Sequence, residues 1–572
     1  MNESTPTSNP VSSDSTASDS SATPSCPSTS FGPPVPSRWG VPNYPAASAG
    51  GATDTLLTLQ PRTSAAPWQF DLSIPIIVMT AAVLIGTVLS RPYINYGDND
   101  ASRINTVYYL VEHGTYEYQP DVVNWARRKK IEGNPTSIDL ALPRTIPVLQ
   151  TVDMIVINGK PYSSKPPMQS TCLAGIVWVT QKLTHWAHTM WPTKFDSHTM
   201  HDSPWMMVWT MIIVSQVVPL IVMFLLLRRH IFRATDSPFV RNFSMLAVCT
   251  GTFLSPWSLT INNHVPAAVM SMIAIDAAMR IWYENRREFR WFALAGFFAA
   301  FTATIELPAA LLAVTLFVAL LICDARRTLI VGLIAAAIPT ITALYTNHLV
   351  TGQLMPAYES WDMDKLPADS FYNYPGSYWL NREGTDALKE SRRTYLTHIL
   401  VGHNGFFSLT PLYLVSLLGI GIAMTRSTTK SKSAATSSVA SRSATTTSGT
   451  ALGANTNSSC GSSCSSSRVA APPRILGALL LAFTVVVIAF YVSKTRNYGG
   501  GCHGFRWLFW LIPMWLLFLP YGVEMLSRRR IGRTVLYTCF AVSAFSMAFG
   551  AGNPWMKTWL RLLMNQWGWI SY

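Results

Sequence analysis

Long apolar runs, separated by shorter polar segments, dominate the chain from about position 72 onward. A helix needs roughly 17–25 apolar residues to cross the hydrocarbon core of a bilayer. We predict eleven membrane spans, at 72–90, 205–227, 241–260, 264–282, 289–304, 306–323, 329–349, 406–425, 474–493, 506–526 and 533–550. The fold class expected from this pattern is an all-α polytopic membrane protein.

One apolar stretch, 168–179, is too short for a span and ends at Gln181-Lys182. Counting it as a span would also reverse the sidedness of every later loop. We therefore predict a helix that lies on the membrane surface or re-enters the membrane from one side.

Two segments lack the apolar pattern. Residues 1–70 and 427–473 are rich in Ser and Thr, and such a composition cannot bury enough apolar surface to offset the entropy of the chain. We predict a disordered cytoplasmic tail and a disordered cytoplasmic linker. Between them lies a transmembrane core, 71–426, and after them lie the C-terminal transmembrane helices and an interfacial tail, 474–572.

Charge is scarce and unevenly placed. Only 13% of the 572 residues are charged, about half the fraction in soluble domains, although the net charge is +14. The basic clusters all follow even-numbered predicted spans: Arg228, Arg229 and Arg233; Arg286, Arg287 and Arg290; Arg326 and Arg327; Arg426, Lys430 and Lys432; and Arg528, Arg529, Arg530 and Arg533. The positive-inside rule then predicts a cytoplasmic N-terminus in a plasma or inner membrane, and this distribution argues against nucleic-acid binding.

With this orientation the large polar loops face the non-cytoplasmic side. They comprise a first loop at 91–204, a second at 351–405 with many aromatic residues, and a short glycine-rich loop at 494–505. The chemistry is therefore expected on the external face.

Two carboxylates, Asp98 and Asp100, follow the first span and precede Arg103. A carboxylate at the water–bilayer boundary can take a proton from an attacking nucleophile or hold a cation against a phosphate. Alternatively, Asp98 caps a surface helix and Asp100 adds favourable charge to its first turn.

A lysine, Lys165, comes directly before Pro166-Pro167. The prolines restrict the backbone, and proline is favourable in a first helical turn. A lysine held at this point can contact an anionic lipid headgroup; alternatively, it extends towards the interface as many membrane lysines do.

Asp100…Arg103, the helix end Leu110-Val-Glu-His-Gly114 and Lys165-Pro-Pro resemble the first external loop of the GT-C glycosyltransferases. The similarity is greatest to the branch with the aminoarabinose lipid A transferase and the protein O-mannosyltransferases. These motifs cover about 91–170, and the spans extend the likeness loosely over 72–550. The resemblance implies that an aspartate of this loop is the catalytic base or activates the acceptor, and that the Lys-Pro-Pro segment lies near a lipid-phosphate donor.

The chain departs from the family's usual Asp-Glu pair, because position 101 is Ala. By its register with Arg103, Asp100 is the first candidate for the catalytic residue, and Asp98 is the second. Arg103 and Lys165 are candidates for binding the donor phosphate or the substrate.

Three later residues are further candidates for binding the donor phosphate or the substrate. His264, at the outer junction of two spans, could bond a phosphate or ligate a metal, or it is an interfacial polar residue. Glu306 lies at a depth where an acid is costly, so it is either functional or hydrogen-bonded to a neighbouring helix. Arg506 follows a glycine-rich segment that resembles the late external Gly–Arg segment of bacterial GT-C proteins; it could bind phosphate in bidentate fashion, or it ends a flexible turn.

The C-terminal residues Trp555, Trp559, Leu563 and Trp567 recur at intervals of four. This spacing predicts one face of an interfacial helix with a structural role.

The resemblance to the GT-C family, together with the external position of the candidate residues, implies a membrane glycosyltransferase that moves a hexosyl or pentosyl group from a polyprenyl-phosphate donor to a lipid, glycan or protein acceptor. No cofactor is firmly indicated. Asp98, Asp100 and His264 could ligate a divalent metal, but their spacing matches no metal motif. The alternatives are a flippase or transporter, and a ligase or polymerase, of lipid-linked glycans. A transporter would need polar residues along a path through the membrane, and usually an internal repeat, which the sequence does not show.

Overall fold

The computed structural model describes residues 70–90, 97–118, 151–190, 204–358, 366–388, 390–425, 474–495 and 497–572. In these residues the regular structure is helical apart from one two-stranded hairpin, which confirms the all-α fold class. Apart from position 70, the predicted disordered segments 1–70 and 427–473 lie outside the described residues.

The described residues up to position 358 form ten helices and the hairpin. They are α1 (Ser73–Ser90), α2 (Asp98–His113), β1 (Met154–Ile157), β2 (Lys160–Ser163), α3 (Pro167–Met190), α4 (Pro204–Ile212, continued by a π-helical turn at Ile213–Val217 into Val218–Ala234), α5 (Pro238–Thr250), α6 (Leu254–Trp257), α7 (His264–Tyr283), α8 (Phe289–Ile305), α9 (Ala310–Cys323) and α10 (Ala325–Thr351).

The described residues from position 390 onward add seven helices: α11 (Arg392–Leu400), α12 (Phe406–Leu409), α13 (Leu412–Thr425), α14 (Arg474–Lys494), α15 (Ile512–Ser527, preceded by a 3₁₀ turn at Arg506–Leu511), α16 (Arg530–Gly552) and α17 (Trp559–Gln566).

Seven of the described helices are long and apolar enough to cross a membrane: Ser73–Ser90, Met206–Ala234, His264–Tyr283, Ala325–Thr351, Arg474–Lys494, Arg506–Ser527 and Arg530–Gly552. Three further apolar helices are shorter: Phe289–Ile305, Leu307–Cys323 and Leu412–Thr425. The chain is therefore consistent with a membrane protein, and the count of eleven spans stays a prediction.

Three predicted segments have different bounds in the structure. The span 241–260 is divided into α5 and α6, with a break at Gly251, where an added Cβ would lie 2.6 Å from Leu412 Cδ1. The span 406–425 is divided at Pro411, which has no N–H to continue a helix. The surface segment 168–179 is the first half of α3, which continues to Met190.

The helix directions separate two ends of the bundle. Helix α7 starts at His264, which contacts Glu306, and runs for about 30 Å at 1.5 Å per residue. Just past its far end, Glu284 pairs with Arg229 and Arg233 of α4. We call the end with His264 the site end and the end with Glu284 the basic end.

Buried ion pairs hold the basic end together. Asp276 of α7 accepts hydrogen bonds from Arg229 and from Arg280, the latter at 2.7 Å, and it contacts His230 Nε2 at 2.8 Å. A second pair, which is exposed, joins Arg228 of α4 to Asp71, next to the start of α1, at 2.7 Å. Because buried charges are costly unless they are paired, the contacts of Asp276 fix α4 against α7 at this end. The exposed pair adds a weaker contact between α4 and the segment before α1.

The hairpin connects α2 to the chain that leads into α3. β1 and β2 are antiparallel, and Ile155 lies opposite Tyr162. The hydroxyl of Ser102 in α2 donates to the carbonyl of Asp153 at 2.6 Å and lies 2.6 Å from Ser163 Oγ. These contacts place Asp153 and the start of α3 beside the first turns of α2.

Helices α13 and α15 are in backbone contact at two glycines. A Cβ added at Gly419 would lie 2.0 Å from the carbonyl oxygen of Phe518, and one added at Gly522 would lie 2.0 Å from that of Val415. Only glycine allows this approach, as at many helix crossings in membranes.

We expect Gly419→Val to push the two helices apart and to destabilise the protein by about 1–3 kcal/mol, the usual effect of overpacking. Thermal unfolding of the detergent-purified protein measures the loss. Gly421→Val is the matched control, because a Cβ at Gly421 meets no atom within 4 Å. Equal losses in the two variants would contradict the importance of this crossing.

Candidate functional site

Asp100 lies in the first turn of α2, and its side chain is fully buried. Its Oδ2 accepts hydrogen bonds from the indole of Trp555 at 2.7 Å and from the backbone N–H of Gly97 at 3.3 Å. Its Oδ1 is buried, and the part of the chain that the structure describes offers it no hydrogen-bond partner. Burial raises the pKa of this carboxyl to about 7, although the charge of Arg103 and the Trp555 bond oppose the rise.

Asp98 has a different position. Its Oδ1 accepts the backbone N–H of Val152 at 2.8 Å, and its carbonyl accepts the hydroxyl of Thr151 at 2.7 Å. Asp98 thus holds the start of α2 against the segment that precedes the hairpin. Of the two predicted catalytic candidates, Asp100 is the one that lies within electrostatic reach of Arg103. Its bond to Gly97, the residue before α2, is a capping contact, the role that the sequence predicts for Asp98.

Arg103, about one helical turn beyond Asp100, is buried and held on three sides. Its Nε donates to Gln169 of α3 at 3.0 Å, its Nη2 to Asn263 at 2.8 Å and its Nη1 to the carbonyl of Asn99 at 3.3 Å. Burial lowers the pKa of Arg103 to about 10, and the charges of Asp100 and Asp153 oppose this effect. The guanidinium is therefore still a cation at neutral pH.

Lys165 is largely buried and pairs with Asp153, with Nζ 2.9 Å from Oδ2. Burial lowers the pKa of Lys165; the neighbouring charge of Asp153 raises it, and those of Arg103 and Arg506 lower it further. The three predicted phosphate-binding cations therefore lie close enough to repel one another. Lys165 is thus paired within the protein, and both of its predicted roles stay predictions.

His264 and Glu306 form a buried contact between Nδ1 and Oε1. The same Oε1 accepts the side-chain amide of Asn263 at 2.7 Å. Because Asn263 also accepts from Arg103, Glu306 is connected to Arg103 through one amide. The predicted structural alternative for Glu306, a hydrogen bond to a neighbouring helix, is thus present in this structure.

Of the three cations Arg103, Lys165 and Arg506, Arg506 has the fewest hydrogen-bond and charge partners in the described part of the chain. Its Nη2 donates to the carbonyl of Gly499 at 3.0 Å, and its guanidinium lies 4.8 Å from the ring centre of Trp555. Its Nε and Nη1 are buried and have no hydrogen-bond partner among the described residues. Gly499 has a φ of 80°, and a Cβ there would lie 2.8 Å from Nε, so glycine is needed to bring the loop this close.

The prediction for Trp555 is wrong. Helix α17 starts at Trp559, so Trp555 precedes it and belongs to no common helix face. Its ring packs on Gly97, where a Cβ would lie 2.7 Å away, and meets Trp257 edge-on at 4.7 Å. Trp555 therefore lies between Asp100, to which it donates, and Arg506, which lies over its ring.

The loop after α10 covers another side of the cluster. The hydroxyl of Tyr378 donates to Asp386 at 3.0 Å, and the indole of Trp379 donates to the carbonyl of Val152 at 2.9 Å. Burial raises the pKa of the Asp386 carboxyl, as does the charge of Asp153, while the charge of Arg506 lowers it. Asp386 is thus a further acid within electrostatic reach of Arg506.

Sequence reasoning missed Asp153, Gln169, Asp386 and Trp555 as parts of this site. Each is positioned by contacts across long sequence separations, and no local spacing pattern identifies them. Asn263, which joins Arg103 to Glu306, was not identified as a candidate either. In the described ranges no three His, Cys, Asp or Glu side chains come together as a metal site.

Comparison with known proteins adds no relative: no family model matches this chain, and no curated protein matches it in sequence. The resemblance of its motifs to the GT-C glycosyltransferases therefore stays a prediction.

We expect Trp555→Phe to raise the pKa of Asp100 by about one pH unit, because a hydrogen bond to the ionised carboxylate is lost. The carboxyl C=O band in an infrared pH titration reports this pKa, with Asp100→Asn as the blank. The matched control is Trp559→Phe, which removes an indole that donates to Ser546 at 2.8 Å. An unchanged titration in Trp555→Phe would show that this bond does not tune the carboxyl.

Proposed function

We propose that the protein is a membrane glycosyltransferase that transfers a sugar from a polyprenyl-phosphate donor to an acceptor hydroxyl on the non-cytoplasmic side. The observation that carries the proposal is that two groups, Arg506 and Asp100, both contact Trp555. Arg506 has two buried donor nitrogens without partners among the described residues, and Asp100 is a buried carboxyl with a pKa of about 7. The first group suits a phosphate, and the second suits a general base.

The reaction follows from these roles. The oxygen of the acceptor hydroxyl attacks the anomeric carbon, and the bond from that carbon to the donor phosphate oxygen breaks. The hydroxyl proton passes to the carboxylate of Asp100, and the departing lipid phosphate keeps the electron pair. Arg506 and Lys165 stabilise the charge that develops on this phosphate. A single displacement of this kind inverts the anomeric configuration.

A lipid-borne donor fits the surroundings of the cluster. Apolar helices such as α7 and α15 start at the site end, so an isoprenoid chain can stay in lipid while the sugar phosphate reaches the polar cluster. The separation of the site end from the basic end supports the proposed orientation, with about eleven spans, a cytoplasmic N-terminus and an external site in a plasma or inner membrane.

We expect a polyprenyl-phosphate sugar to co-purify with the wild-type protein in native-membrane discs and to be lost from Lys165→Ala/Arg506→Ala. Mass spectrometry of the extracted lipids measures this. The control is Arg529→Ala/Arg530→Ala, which removes the same formal charge at the basic end. A pyrophosphate-linked oligosaccharide instead would favour a flippase, ligase or polymerase, and bulk phospholipid alone would count against a lipid-phosphate donor.

With that donor and the membrane acceptor supplied in the same discs, Asp100→Asn should lower transfer about a hundredfold or more while keeping the bound donor. The wild-type rate should rise with pH and level off above about 7, because the carboxyl must lose its proton to act as the base. Initial rates across pH, with Asp98→Asn for comparison, check both points. A greater loss in Asp98→Asn would reverse the assignment of the base.

A further inference from the structure

A cluster of arginines at the basic end takes no part in the proposed reaction. It lies at two connections between helices. The loop 284–288 joins α7 to α8, and the single residue Asp324 joins α9 to α10. Glu284 is engaged with the arginines of α4, which leaves two carboxylates, Glu288 and Asp324, for the five arginines in or next to these loops. We call Arg286, Arg287, Arg290, Arg326 and Arg327 the arginine patch.

The two carboxylates compensate the patch only in part. Glu288 is exposed and lies 3.4 Å from Arg286 and 3.8 Å from Arg290, so both pairs are weak. Asp324 accepts the backbone N–H of Arg327 at 3.0 Å and also bonds its guanidinium. These bonds hold the pKa of Asp324 below its ordinary value, and the charge of Arg287 lowers it too, so Arg287 lies within electrostatic reach of this pair.

Two donor nitrogens of the patch are buried with no partner in the described part of the chain. They are Nη1 of Arg287 and Nε of Arg327, and no acceptor among the described residues reaches either of them. The arginines of α4 at the same end differ, because Arg228 bonds Asp71 and Arg229 bonds Asp276. A buried N–H without an acceptor is costly, so an anion with several oxygen atoms would be bound favourably at this point.

The surroundings of the patch indicate a lipid rather than a dissolved anion. Phe289, which lies under the Arg327 guanidinium, is 65% exposed, and Ile322 just before Asp324 is 75% exposed. Large apolar side chains with this exposure suit the acyl region of a bilayer. The patch therefore lies where the apolar belt of α8, α9 and α10 ends, which is the level of lipid headgroups.

We propose that the arginine patch binds the phosphate of an anionic phospholipid headgroup in the leaflet at the basic end. Arg287 and Arg327 provide the buried donors, and the exposed Arg286, Arg290 and Arg326 add attraction for the negative charge. The acyl chains lie along the apolar faces next to Phe289 and Ile322. This site is separate from the proposed transferase site and does not depend on it.

The test uses the full chain in discs of zwitterionic phospholipid with increasing phosphatidylglycerol. Native mass spectrometry counts the phosphatidylglycerol molecules that stay bound after release from the disc. We expect Arg287→Gln/Arg327→Gln to weaken the apparent affinity about tenfold or more, since each arginine near the surface contributes to binding anionic lipid. Arg529→Gln/Arg530→Gln is the matched control, with the same charge removed from another loop at this end, and should retain the bound lipid.

Two results would overturn the proposal. Equal losses in the patch and control variants would mean that only diffuse surface charge attracts the lipid. Stabilisation of the wild type, but not of the patch variant, by inorganic phosphate in purely zwitterionic discs, together with no bound phosphatidylglycerol, would identify a site for a dissolved anion. Should the double variant fail to fold, Arg287→Gln alone, which leaves the Asp324–Arg327 bonds intact, should weaken the affinity about fivefold.

Discussion

A charge inside an apolar helical bundle must be compensated by partners within the protein, and this constraint organises the site end. Arg103 is the central case, because each of its three nitrogens has an acceptor on a different part of the chain. The side-chain amide of Asn263 also donates to Glu306, and that of Gln169 donates to the carbonyl of Asn262 at 2.8 Å. The compensation of one buried guanidinium thus joins α2 and α3 to the start of α7 and the end of α8.

The same constraint makes the incomplete compensation near Arg506 informative. Each guanidinium nitrogen of Arg103 has an acceptor, whereas Arg506 finds, among the described residues, one carbonyl and the face of an indole. Asp100 likewise has donors from this part of the chain on one oxygen only. Buried groups with unused hydrogen-bonding capacity lower stability, and a bound ligand or a reaction is one explanation for them. The site and the arginine patch share this property at opposite ends of the bundle.

Much of the architecture could be predicted from local pattern. Apolar runs predicted the seven full-length helices, because burial in lipid depends on the length and composition of a run and not on its neighbours. The breaks at Gly251 and Pro411 were less visible, since a hydropathy pattern continues across a residue that ends a helix. Ionisable residues beside apolar runs are conspicuous, and Asp98, Asp100, Lys165, His264, Glu306 and Arg506 were noticed in this way. Arg103, and the order of Asp100 before Asp98, came from the resemblance to the GT-C glycosyltransferases.

The sequence by itself determined the helical class, the apolar helices and the ionisable residues that stand next to them. Only the tertiary structure decided how these residues are paired. It placed Lys165 on Asp153, His264 on Glu306, and Trp555 between Asp100 and Arg506. The physical reason is that helix formation depends on neighbours a few positions away, whereas the protonation and hydrogen bonding of a buried group depend on atoms that the chain brings together from hundreds of positions apart.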